Sequence, residues 1–238
     1  DYAKTMRENG FHVLGYFNVT EFGARIAFPP KPPEVPNAKG SADWADPNRF
    51  LFDRLGQAVV RVPEKLALPP KPRWPRGWAK TRPGGLFYTW EEAVVMDCGE
   101  PVFRDFLLNQ AKRHVAEVPS SSGIAIDRLD WLRLYNVDRD DGVSWFDGAP
   151  ARSLVWSWRT LMEKLGPIMH DGGKVIFVNS LNKRLDLMRQ VDGIFDECPG
   201  LNGDAVLGLR KPVLVFNGAG GERFLQTCLY LGVYPMCP

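Results

Sequence analysis

Cysteine is scarce in this sequence. Cys98, Cys198, Cys228 and Cys237 are four among 238 residues, and no two of them form a CxxC pair. So thin a supply excludes a disulfide scaffold, and buried thiols are the expectation. The compartment stays open on this count, with the extracellular or lumenal side favoured. Long apolar runs are missing too: none approaches the roughly 20 residues needed to cross a bilayer. The opening DYAKTMRENG lacks the basic-then-apolar order of a signal peptide. Charge of one sign is lacking, since 30 basic and 28 acidic residues are interspersed and leave a formal net charge of +2. A nucleic-acid surface needs clustered positive charge, so none is expected. His12, His114 and His170 are the only histidines, and their spacing suits no metal. A GxGxxG after the first strand and a GxSxG elbow are absent, which removes the usual marks of dinucleotide binding and serine hydrolysis. No cofactor and no metal is expected.

What the chain does have is alternation. Residues 2–9 read as a helix that stops at Asn9-Gly10. Strands follow at HVLGYFN (12–18), AVVMD (93–97), GIAID (123–127), KVIFVN (174–179), GIFDE (193–197), PVLVFN (212–217) and LGVYP (231–235). Helices are expected from Glu100-Pro101 to about Val118, near 149–169, over 182–190 and over 221–230, with a short one at 48–57. Strands separated by helices imply a parallel sheet. Most strands close on a polar residue: Asn18, Asp97, Asp127, Asn179, Asp196 with Glu197, and Asn217. A (β/α)8 barrel brings its strand ends to one shared face, whereas an open doubly wound sheet uses only its switch point. The expectation is therefore an α/β fold of the TIM-barrel type spanning 1–238. About seven of its eight strands are visible, and the chain begins inside a helix without an initiating Met. A domain of a longer precursor, or further chains completing the barrel, would account for both.

Residues 24–90 break the rhythm. They hold twelve of the 20 prolines and four of the eight tryptophans. Proline at that density suits neither a sheet ladder nor a helix interior. The stretch reads as a long excursion from the first strand.

Two carboxylates on different strand ends can divide the labour of hydrolysis, one as nucleophile or base and one as proton donor. Asp127 is the candidate for the first role and Glu197 or Asp196 for the second. Asn18, Glu21, Asp97, Arg128, Asp130, Trp131, Asn179 and Asn217 are candidate substrate contacts. Trp131 leads the aromatic ones because it follows Asp127 by four residues, and flat apolar rings bind sugars. The competing structural readings are an N-cap for Asp97 with Glu100, ion pairs to Arg128 or Arg133 for Asp127 and Asp130, and a mini-core for the tryptophans. NVDRDDG (136–142) has calcium-loop spacing that fails at Asp141, so a solvated turn is expected there. NGAGGER (217–223) reads as a tight turn into a helix.

The succession MDCGEPVFRDFLLNQAKRHV, GIAIDRLDW, KVIFVNS, VDGIFDE, RKPVLVFN and LGVYP resembles the catalytic barrels of glycoside hydrolases, in particular α-glycosidase-like ones, over about residues 93–236. Asp97, Pro101 and Arg104 match the "D-x-x-x-P-x-x-R" of that pattern. The resemblance implies that the acid after the fourth strand is the nucleophile and the acid after the sixth the acid/base, which points to Asp127 and to Glu197 or Asp196. This chain departs from the pattern in its unseen first strands, its Pro-rich excursion and the two adjacent acids of FDE. A barrel that binds carbohydrate or builds a larger complex without catalysis is the alternative. An aldolase-type lyase ranks last, because Lys174 and Lys211 sit at strand beginnings.

Overall fold

The computed structural model describes residues 2–23, 50–64, 85–87, 93–179, 184–197, 200–217 and 220–236. Most of the Pro-rich excursion lies outside the described residues, with Trp44, Trp74, Trp78 and Trp90, as do Cys198 and Cys237. The chain divides into two units. The first comprises Asp1–Asn18, Leu108–Asp130 and Met162–Pro238, the second Val19–Leu107 and Trp131–Leu161. The described tryptophans, Trp131, Trp145, Trp156 and Trp158, all fall in the second unit.

The first unit is built on a six-stranded sheet: β1 (Leu14–Asn18), β2 (Gly123–Asp127), β3 (Val175–Asn179), β4 (Gly193–Asp196), β5 (Val213–Phe216) and β6 (Tyr234–Met236). Every neighbouring pair is parallel, and the spatial order follows the chain order without reversal. Among the described residues the α-helices are α1 (Tyr2–Glu8), α2 (Pro101–Glu117), α3 (Leu154–Asp171), α4 (Leu201–Gly208) and α5 (Glu222–Leu231), the first parts of α2 and α3 belonging to the second unit. Pro101 opens α2, where a missing N–H costs nothing. Gly232 closes α5 at φ 69°, the left-handed conformation that glycine adopts freely.

Alternation along the strands gives the sheet two unlike faces. Ile124, Ile126, Ile176, Val178, Ile194, Val213 and Val215 are fully buried on one. The end of α2 packs there: a Cβ on Gly15 would lie 2.7 Å from the His114 ring. The other face carries Leu14, Tyr16, Ala125, Phe177, Phe195 and Leu214, where the ring of Phe177 covers Gly193.

The second unit departs from the expected pattern. Val94–Val95, within AVVMD, pairs antiparallel with Glu21–Phe22 and takes no part in the parallel sheet. Its apolar run has another cause, since Val94, Val95 and Met96 are wholly buried. Ala149–Ser153, expected to begin a helix, is a strand between Tyr135–Asn136 and Ser144–Phe146. Asp147 and Gly148, at φ 49° and 76°, form the two-residue turn that an Asp-Gly pair favours. Phe22, Phe50, Phe103 and Phe106 pack ring on ring, and Trp131 and Trp158 are buried. In the first unit, Leu185–Met188 forms a short 3-10 turn within the helix expected over 182–190, of which 182 and 183 lie outside the described residues, and α4 was not expected. Among the described residues no helix is long and apolar enough to cross a membrane.

Candidate active site

β2 and β3 lie side by side in register, so Asp127 and Asn179 leave the sheet at the same end. The Asn179 amide nitrogen donates to Asp127 Oδ1 at 2.7 Å and to Glu197 Oε2 at 3.1 Å. Both bonds leave one nitrogen, so the two accepting oxygens are held within about 6 Å of each other. Tyr16, two residues before the end of β1, donates its hydroxyl to Asp127 Oδ2 at 3.0 Å. The backbone N–H of Arg128 adds a third donor, 2.7 Å from Asp127 Oδ1. Arg128 adopts φ 62° to continue the chain from there. A non-glycine residue in that region costs roughly 1–3 kcal/mol, and such strain gathers at functional sites. Asn179 is 9% exposed, and among the described residues its Oδ1 is buried without a hydrogen-bond partner. An orphan acceptor of that kind costs about 1–3 kcal/mol.

Strand alternation separates the two acids of FDE. Asp196 continues the buried face after Ile194 and is fully buried. Glu197 follows one residue later, is exposed, and comes to the Asn179 amide. Asn18 is the register partner of Asp127 on β1. Arg128 and Asp130 pair with each other at 3.6 Å, and Asn217 follows β5, half-buried. The first unit therefore brings together Asp127, Asn179 and Glu197 from the expected set. It adds Tyr16, which counting back by two from Asn18 would have found.

Glu21, Asp97 and Trp131 belong to the second unit. Trp131 is 1% exposed and its indole N–H donates to the Glu21 carboxylate, so neither flat face is open for stacking. Asp97 is fully buried and accepts from Ser157 Oγ at 2.5 Å, Gly99 N at 2.8 Å, Asn136 Nδ2 at 2.9 Å and Arg152 at 3.2 Å. Arg152 also reaches Glu100, which Arg139 meets at 2.8 Å. Burial lowers the Arg152 pKa, but the carboxylates of Asp97 and Glu100 outweigh it and hold the guanidinium above its ordinary value. Burial, then the neighbouring Asp97, pushes the Cys98 thiol well up. Of these donors only the Gly99 amide belongs to the segment before α2, and the helix opens at Pro101, so Asp97 is the centre of a buried polar cluster and not the cap of that helix. In the 136–142 loop, Asp141 takes the amides of Val143, Ser144 and Ser153, and Asp140 that of Gly142. Those oxygens are spent on the backbone. Among the described residues no cluster of His, Cys, Asp and Glu could hold a metal ion.

No protein-family model matches the chain, and no curated protein is similar to it in sequence. Solved structures are. The glycoside hydrolase domain of PelA from Pseudomonas aeruginosa matches 99% of this chain and 81% of its own, with a TM-score of 0.55 at 17% identity. A variant of that domain matches over the same shares at 15% identity. Aspergillus fumigatus Ega3, solved with galactosamine, matches 93% of this chain with a TM-score of 0.51 at 12% identity, and this chain spans 66% of it. The likeness is one of fold. It is an α/β fold with a parallel sheet, shared with glycoside hydrolase domains.

Proposed function

We propose that this protein cleaves or transfers a glycosidic bond with Asp127 and Glu197 as its carboxylate pair, and that its six strands are the arc of a (β/α)8-type barrel. The one-way strand order supports the barrel, because a doubly wound sheet reverses at its switch point. The observation that carries the chemistry is the single Asn179 nitrogen bonded to both acids. Retaining enzymes hold their carboxyl groups about 5–5.5 Å apart, and inverting ones roughly 6.5–9.5 Å apart to admit a water. A pair tied within about 6 Å suits retention.

In this reading Asp127 attacks the anomeric carbon while Glu197 gives its proton to the departing glycosidic oxygen. Glu197 then takes a proton from water, whose oxygen displaces Asp127 from the sugar. Tyr16, Asn179 and the Arg128 amide hold Asp127 as the charged acceptor it must be. Glu197 is preferred over Asp196 because it is the exposed acid of the two. Asn18, Asn217 and the Arg128–Asp130 pair are the proposed sugar contacts.

The test is turnover of aryl glycosides and amino-sugar oligosaccharides, the latter because the Ega3 structure holds galactosamine. Asp127→Asn and Glu197→Gln should each lower kcat by about 10³-fold or more. Proton NMR of the first product should show the anomeric configuration of the substrate. Inverted product would exclude the nucleophile role. Saturable sugar binding without turnover would favour the non-catalytic alternative.

A further inference from the structure

The opposite, amino-terminal ends of the strands carry a second cluster, with two cations, Lys174 and Arg7, beside two histidines. Lys174, just before β3, is 6% exposed and donates Nζ to the carbonyl oxygens of Pro119 at 2.7 Å and Ser121 at 2.6 Å. An ammonium has three N–H groups, so one is left over. His12 meets Ser122 Oγ at 3.0 Å, and His114 meets Ser121 Oγ at 2.8 Å. Arg7, on α1, lines the same cavity, and among the described residues no carboxylate pairs with its guanidinium. The two cations, Lys174 and Arg7, press on one another. Burial and then Arg7 lower the Lys174 pKa, and burial and then Lys174 lower that of His114. Natural folds seldom gather cations this way without an anion to answer them.

The cavity beside this cluster measures about 960 Å³, and among the described residues no acidic side chain lines it. That volume falls in the range of about 300–1,000 Å³ typical of small-molecule sites. Its floor is the half-exposed sheet face: Phe177, Phe195, Leu214 and Met236. A cationic rim over an apolar floor complements one ligand chemistry, an anionic head on an apolar body. The four steps from Val175 to Asn179 span about 13 Å, so the rim stands well away from the acids at the other strand ends.

We propose that this cavity binds a medium-chain monocarboxylate, its head against Arg7 and the free N–H of Lys174 and its chain along Phe177, Phe195, Leu214 and Met236. The proposal is independent of any glycosidase activity. Decanoate labelled with carbon-13 at the carboxyl group is the probe, titrated below its micellar range and followed by NMR. Saturable binding with a shift of the carboxyl resonance is expected. Arg7→Gln, an exposed position whose loss leaves the core intact, should weaken decanoate at least about tenfold while leaving decanol unchanged. Inorganic phosphate and decanol should each bind far more weakly than decanoate. Equal decanoate affinity in the wild type and Arg7→Gln would overturn the proposal. Decanol binding as tightly as decanoate, or no saturable binding at all, would do the same.

Discussion

At the scale of single residues, the site turns on an amide. Asn179 touches both acids, and it looked in sequence like one of several polar strand ends. Asp127 and Asn179 were legible because a short apolar run closing on a polar residue marks where a parallel strand delivers its last side chain. The choice between Asp196 and Glu197 was not legible, because it depends on the register of β4. Tyr16 hid inside an aromatic strand, and a hydroxyl on a strand face declares nothing until its neighbour is known. Asn179→Ala should lower kcat by about 10²-fold with little change in KM, since it loosens the acids without removing either. Tyr16→Phe should cost about tenfold, the worth of one hydrogen bond to a charged group. A KM effect with kcat unchanged would place both residues in binding instead. His114 supplies a pH prediction. Burial, then the nearby Lys174, holds its pKa below the ordinary value, so the fold prefers the neutral ring. That stability is complete above about pH 6.5 and is lost as pH falls through the lower folded value. Chemical denaturation between about pH 7 and pH 5 should show the loss, and His114→Gln should show less of it.

At the scale of elements, the apolar run is an ambiguous sign. GIAID and AVVMD look alike in sequence, yet the first is the second strand of the parallel sheet and the second makes a two-residue antiparallel pairing. Both are buried, and burial is what the run encodes; sheet membership needs a partner that lies far off in the chain. The Asp147-Gly148 turn, by contrast, was written locally and went unread because the helix after it dominated the pattern. Register between β2 and β3 rests on Gly123. A Cβ there would stand 1.9 Å from the Val175 carbonyl oxygen, a backbone atom with no rotamer to escape into. Gly123→Ala should destabilise the protein by about 3 kcal/mol or more, read from the shift of its denaturation midpoint. A shift below about 1 kcal/mol would show that the two strands part easily at that point.

At the scale of the whole molecule, the class of fold was legible from alternation alone, while strand order and the division into two units were not, since both depend on contacts between distant residues. The Asp97 cluster shows why the second unit escaped notice. Its acid ends an apolar run just as Asp127 does, but Ser157, Asn136 and Arg152 converge on it from residues 39 to 60 positions away. Asp97→Ala leaves those donors buried and unmatched, and should cost about 3–5 kcal/mol. The distribution of tryptophan makes that loss readable in one half of the protein. Trp131 and Trp158 are buried in the second unit, so the change in their emission follows that unit, whereas the helices and strands of the parallel sheet contribute to circular dichroism. Without any label, one cuvette therefore holds two reporters, and the gap between their melting curves measures how far the halves unfold apart.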